Sequence, residues 1–109
     1  MRDHQFNWLD PWLPVGEAAQ GLIEEFYREV SPEHRLFGKT VAAIGRRCDC
    51  DDVLFEISQG EGFAVVHLTW KGRPESNPDW PHTRLFTSWE DWAQTCMSRD
   101  HRDMTDNLA

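Results

Sequence analysis

The hydrophobic positions of this chain change period part-way along it. Val15, Ala19, Leu22, Phe26 and Val30 recur at steps of three and four, the spacing that lines one face of an α-helix. Glu17, Glu24 and Glu25 fall on the opposite, solvated side. Ser31 and Pro32 end this helix and start a short turn, with Ser31 able to cap it and Pro32 at its first helical position. Gly38 closes the turn. From residue 40 the period shortens to two, and strands are expected over 40–47, 53–58, 62–70 and 83–87, with turn signals at 48–52 and 59–62.

The third of these strands is apolar on both faces. Ala64, Val66, Leu68 and Trp70 share one face, and Phe63, Val65, His67 and Thr69 share the other. Such a segment belongs inside a sheet, and its short connections make the first three strands an antiparallel meander. The connection 71–82 differs: it holds Pro74, Pro78 and Pro81, has no period, and is long for a hairpin. Ser88 opens a second helix, with Asp91 three residues on and a stripe of Trp89, Trp92, Ala93 and Cys96. The expected fold is therefore α+β, a mainly antiparallel four-stranded sheet with the N-terminal and C-terminal helices both on the face of Val66, Leu68 and Trp70. Residues 1–14 are expected as an aromatic arm, 15–97 as the single domain and 98–109 as a polar, mobile tail.

Length and charge narrow the picture. A chain of 109 residues suits one domain and buries roughly 60–70 % of its unfolded surface, enough for a core without disulfides or a structural metal. Eleven Lys and Arg against nineteen Asp and Glu give a net charge of −8, which repels phosphate backbones. The short basic pairs Arg46–Arg47 and Lys71/Arg73 do not make a nucleic-acid footprint. Three cysteines cannot all pair with one another, residues 1–5 hold no apolar signal core, and no run approaches the roughly 20 apolar residues of a membrane helix. The expectation is a cytoplasmic protein, a monomer or small homo-oligomer, with no cofactor, membrane or nucleic-acid partner.

Three groups of residues carry candidate chemistry. His67 lies just before the long loop with Arg73, Glu75, Trp80 and His82. A Trp wall and a guanidinium beside a histidine suit a planar or anionic small ligand, with His67 as base or hydrogen-bond partner. Beside this stands the plainer alternative of a satisfied histidine in the core, with Arg73 and Glu75 a solvated pair. Cys48 and Cys50 flank Asp49 in an acidic turn, and zinc would need a remote His34 or His82 to join them. That spacing does not match a structural zinc site, so no metal is expected. The third group is the acidic periphery, including Glu24, Glu25, Glu29, Asp49, Asp51, Asp52, Glu90 and Asp91, which reads as solvated surface or as a face for a basic partner. Trp8 and Trp12 on the arm either dock on the domain or anchor a partner protein.

The stretch Asp51-Asp52-Val53-Leu54-Phe55-Glu56, then Val65-Val66-His67-Leu68-Thr69-Trp70, a Pro/Trp-rich loop and Leu85-Phe86 before an aromatic helix resembles a family of small uncharacterised bacterial proteins. The resemblance implies a shared α+β fold and brings no activity or catalytic residue with it. The function expected from the residues is a non-enzymatic protein-interaction module using acidic and Trp-bearing surface, of antitoxin or immunity type. The alternative is a small-molecule binder or minor enzyme with its site at the His67 strand end and the 71–82 loop.

Overall fold

The computed structural model describes residues 7–74 and 76–106, the side chain of Gln59 apart. Helix α1 (Ala19–Glu29) follows a short 3₁₀ turn (Gly16–Ala18). Five strands form one antiparallel sheet in the order β1-β2-β3-β4-β5. They are β1 (Trp12–Pro14), β2 (Val41–Arg47), β3 (Asp52–Ile57), β4 (Gly62–His67) and β5 (His82–Phe86). The fifth strand is an addition to the expected four: Trp12, Leu13 and Pro14 of the arm pair with Arg47, Arg46 and Gly45 at the sheet edge. Pro14 sits where an edge strand tolerates a missing N–H.

The sequence pattern predicts both helices on one face; instead they lie on opposite faces of the sheet. Helix α1 packs Leu22 and Phe26 on Val53, Phe55, Val66 and Leu68. The C-terminal helical run packs Trp92, Cys96 and Met97 on Trp12, Leu54, Phe63 and Val65. Both faces of β4 are apolar, so each face needs its own cover, and one helix on each satisfies both. Ile44 falls to the second core by alternation from Ala43, and a bulge between Ala43 and Gly45 aligns Gly45 with Leu54 of the same core.

The C-terminal run consists of α2 (Trp89–Trp92), a π-helical segment (Ala93–Met97) and α3 (Ser98–Asp106). Ser88 caps it, its hydroxyl accepting from the Asp91 N–H at 3.0 Å, while Asp91 reaches back to the Thr87 N–H at 3.0 Å. Residues 98–106, expected as a mobile tail, are helical because Asp100 is buried. Its carboxylate accepts from Trp12 Nε1 at 2.9 Å, lies 3.4 Å from the Arg47 guanidinium and takes the Cys96 thiol at 3.6 Å. The Asp49 hydrogen bonds are the first cause holding the Arg47 guanidinium above its ordinary pKa, with Asp100 adding to them against desolvation. Burial, then Asp100, pushes the Cys96 thiol up to about 11.

The arm therefore docks on its own domain. Trp12 is fully buried, and Trp8 meets Trp89 and Trp92 edge to face at 5.4 and 6.1 Å. Gly45 makes room for it: a Cβ there would lie 2.5 Å from the Trp8 ring. No helix among the described residues is long and apolar enough to cross a membrane.

Candidate functional site

Three strands present a row of polar side chains on the face covered by the C-terminal run. Asp52 of β3 stands opposite His67 of β4, and His67 stands opposite His82 of β5. Arg84, two residues along β5, faces the same way by strand alternation. The helical run makes its last buried contact through Asp100 with Trp12 and Arg47 on β1 and β2. It therefore leaves the β4–β5 corner open. There Asp52, Val65, His67, Trp80, His82 and Arg84 line a cleft of about 350 Å³.

Within it, His67 Nδ1–H donates to Asp52 Oδ1 at 2.7 Å, and Arg84 lies 3.6 Å from Asp52 Oδ2. Asp52 is mostly covered, whereas the His67 side chain is 44 % exposed. A carboxylate on Nδ1 fixes the tautomer and leaves Nε2 as a proton acceptor. Nε2 has no partner among the described residues. Trp80 approaches His82 with ring centroids 5.9 Å apart.

Of the loop residues expected beside His67, the structure brings Trp80 and His82 to the cleft and leaves Arg73 exposed elsewhere on the loop. Glu75 lies outside the described residues. The guanidinium in the cleft belongs to Arg84, and the acid to Asp52. Both were legible from strand alternation, since Arg84 follows His82 by two and Asp52 opens the strand that pairs with β4. Of Trp8 and Trp12, candidates either to dock on the domain or to anchor a partner, Trp12 is buried in the second core and Trp8 packs, partly buried, against it. His34 is satisfied within the fold: Nδ1 accepts from the Leu36 N–H at 3.0 Å, and Nε2 lies 3.0 Å from the Pro81 carbonyl. Cys48 and Cys50 are exposed, and no cluster of three metal-ligating side chains occurs among the described residues.

A second polar feature was hidden in the sequence. Glu25 and Glu29, expected among the solvated acids, are buried, at 2 % and 0 % exposure. Glu29 accepts from the N–H groups of Thr69 at 2.9 Å and Trp70 at 2.7 Å, and Glu25 from that of Gly72 at 3.0 Å. Trp70 has φ of +60°, a left-handed conformation rare for a bulky side chain. Burial, then the neighbouring Glu25, raises Glu29 to about 7. Burial also works to raise Glu25, but hydrogen bonds from Glu29, Gly72 and Arg28 outweigh it and hold that carboxyl below its ordinary range.

Comparison with family models, with curated proteins and with solved structures returns no match to this chain.

Proposed function

We propose that the protein binds a small, planar, negatively charged molecule in the cleft between β3, β4 and β5. The observation that carries this reading is the 2.7 Å Asp52–His67 pair in an open cleft. Trp80 and Val65 give an apolar wall for a ring, while the Arg84 guanidinium gives donors and positive charge for an anionic group and the His82 and His67 rings place polar nitrogens beside it. A guanidinium at that corner of a chain of net charge −8 gives an anion a local point of attraction. Held by Asp52, His67 has the orientation for exchanging a proton with the ligand through Nε2. None of the lining side chains is a hydroxyl or thiol, so a reaction there would draw its nucleophile from the substrate or water.

Titration calorimetry with phenyl phosphate and benzoate as probes tests the reading. Arg84→Met and His67→Ala should each weaken binding by roughly 10- to 100-fold, the loss of a charge-assisted hydrogen bond. Equal affinity in wild type and both variants would contradict it.

The protein-interaction reading moves to a different surface. Trp8 and Trp12 are packed away, but Trp70 is 49 % and Leu85 51 % exposed, and an acidic chain favours a basic partner. Trp70→Ala should abolish such a complex while leaving probe binding unchanged.

A further inference from the structure

Glu25 and Glu29 sit one helical turn apart on α1, both removed from water, and between them they hold three backbone N–H groups of the segment leaving β4. Two adjacent buried carboxylates are costly when both are ionised, because each loses hydration and repels the other. They hold in place a segment that bears its own strain, since Trp70 is left-handed yet half-exposed, a conformation that persists only where surrounding contacts impose it. We propose that Glu25 and Glu29 form a proton-operated latch on segment 69–72: with one proton shared between the carboxylates the segment is held, and on losing that proton the clamp loosens and frees Trp70.

The charged surroundings are few. On α1, Arg28 pairs with Glu25 at 3.0 Å, and exposed Glu24 is engaged by Gln20. The clamped segment and its continuation bring Lys71 and Arg73. The sheet beneath contributes apolar Val53, Phe55, Val66 and Leu68. The turn after α1 carries Glu33, His34, Arg35 and Lys39; His34 binds Pro81, Lys39 pairs with Glu61, and Glu33 and Arg35 line a separate hollow with Asp79. None of these last four is a partner of Glu29. Its partners are Glu25 and the Thr69–Trp70 backbone, together with the Thr69 hydroxyl.

Linkage sets the direction. Clamped, Glu29 loses its proton near pH 7; released into water, it does so at the ordinary carboxylate value. Release therefore becomes easier as pH rises, by roughly 10- to 50-fold between pH 5 and pH 7.5. The latch does not depend on the cleft having a ligand.

Amide hydrogen exchange at Thr69, Trp70 and Gly72, corrected for intrinsic rates, reads the opening directly. Protection in the wild type should fall by that factor from pH 5 to 7.5, with a ¹³C-carboxyl midpoint for Glu29 near 7 over the same range. Glu29→Gln, which keeps an acceptor and cannot ionise, should show flat protection. Unchanged wild-type protection, a Glu29 midpoint in the ordinary carboxylate range, or a Glu29→Gln variant that reproduces the wild-type pH dependence would each overturn the latch. The carboxyl titration needs only wild-type protein, so the latch stays testable if the variant does not fold.

Discussion

Asp100→Ala is the sharpest test of how the arm is held. Trp12 is fully buried, and its indole N–H has the Asp100 carboxylate as partner at 2.9 Å. Removing the carboxylate strands that donor without water, at about 1–3 kcal/mol. Arg47 is not stranded in the same way, since it keeps Asp49 at 2.8 Å through two nitrogens. The expected loss is therefore about 2 kcal/mol, or a fall in Tm of roughly 10 °C for a domain of this size. Trp12→Phe removes the donor itself and should cost a similar amount, mostly through the smaller ring. Because both changes delete the same hydrogen bond, the double variant should cost less than their sum by about 1 kcal/mol or more. Urea unfolding of the four proteins at one pH measures the cycle. Single variants within about 0.5 kcal/mol of wild type and a coupling near zero would mean that the arm does not dock on its own domain.

Further expectations follow from other positions. Gly62 has φ of +109°, and a Cβ there would lie 2.5 Å from the Phe86 carbonyl oxygen, so Gly62→Ala should lower stability by about 2 kcal/mol or more in the same assay. Glu29 also gives global stability a pH dependence. Its folded-state pKa of about 7 lies above the unfolded value, so its contribution is complete below pH 4.5 and is lost as pH rises through 7; Glu25, shifted the other way, acts below that window. Wild-type stability should fall by about 2 kcal/mol across pH 4.5–7, and urea midpoints of Glu29→Gln should be flatter there. A thiol reagent on native protein at neutral pH should modify exposed Cys48 first, Cys50 more slowly because burial and the nearby Asp52 charge raise its thiol pKa, and Cys96, buried and pushed up to about 11, only on unfolding.

Much of the fold could be read from local pattern. The four longer strands follow period-two runs, α1 follows its three-and-four stripe, and Ser88 with Asp91 marks the start of the C-terminal run. These signals lie within a few residues of one another. What the sequence hid depends on distant partners. Trp12–Pro14 is too short and too rich in proline to announce a strand, and it becomes one through pairing with β2. Glu25 and Glu29 carry the charge of surface residues, and only the backbone N–H groups of a segment some 40 residues later bring them inside. The residues 98–106 look solvated until Trp12 and Arg47 supply the partners that bury Asp100. The placement of both helices on one face was a choice between two covers for a strand apolar on both sides, and Phe63 and Val65 needed the second cover.

The cleft was legible by half. His67, Trp80 and His82 gather as expected, whereas Arg84 and Asp52, the groups that give His67 its charge environment, were visible only through register. Arg73 was favoured because it is close in sequence, but strand pairing rather than sequence distance decides which side chains meet.

The most direct measurement is the imidazole ¹⁵N spectrum of the wild-type protein, recorded before and after adding phenyl phosphate. Free protein should show His67 protonated at Nδ1, and the probe should move the His67 and His82 rings and the Trp80 indole together along one saturable curve. A His67 that carries its proton on Nε2, or a probe that leaves all three side chains unmoved, would contradict the assignment of this cleft as the binding site.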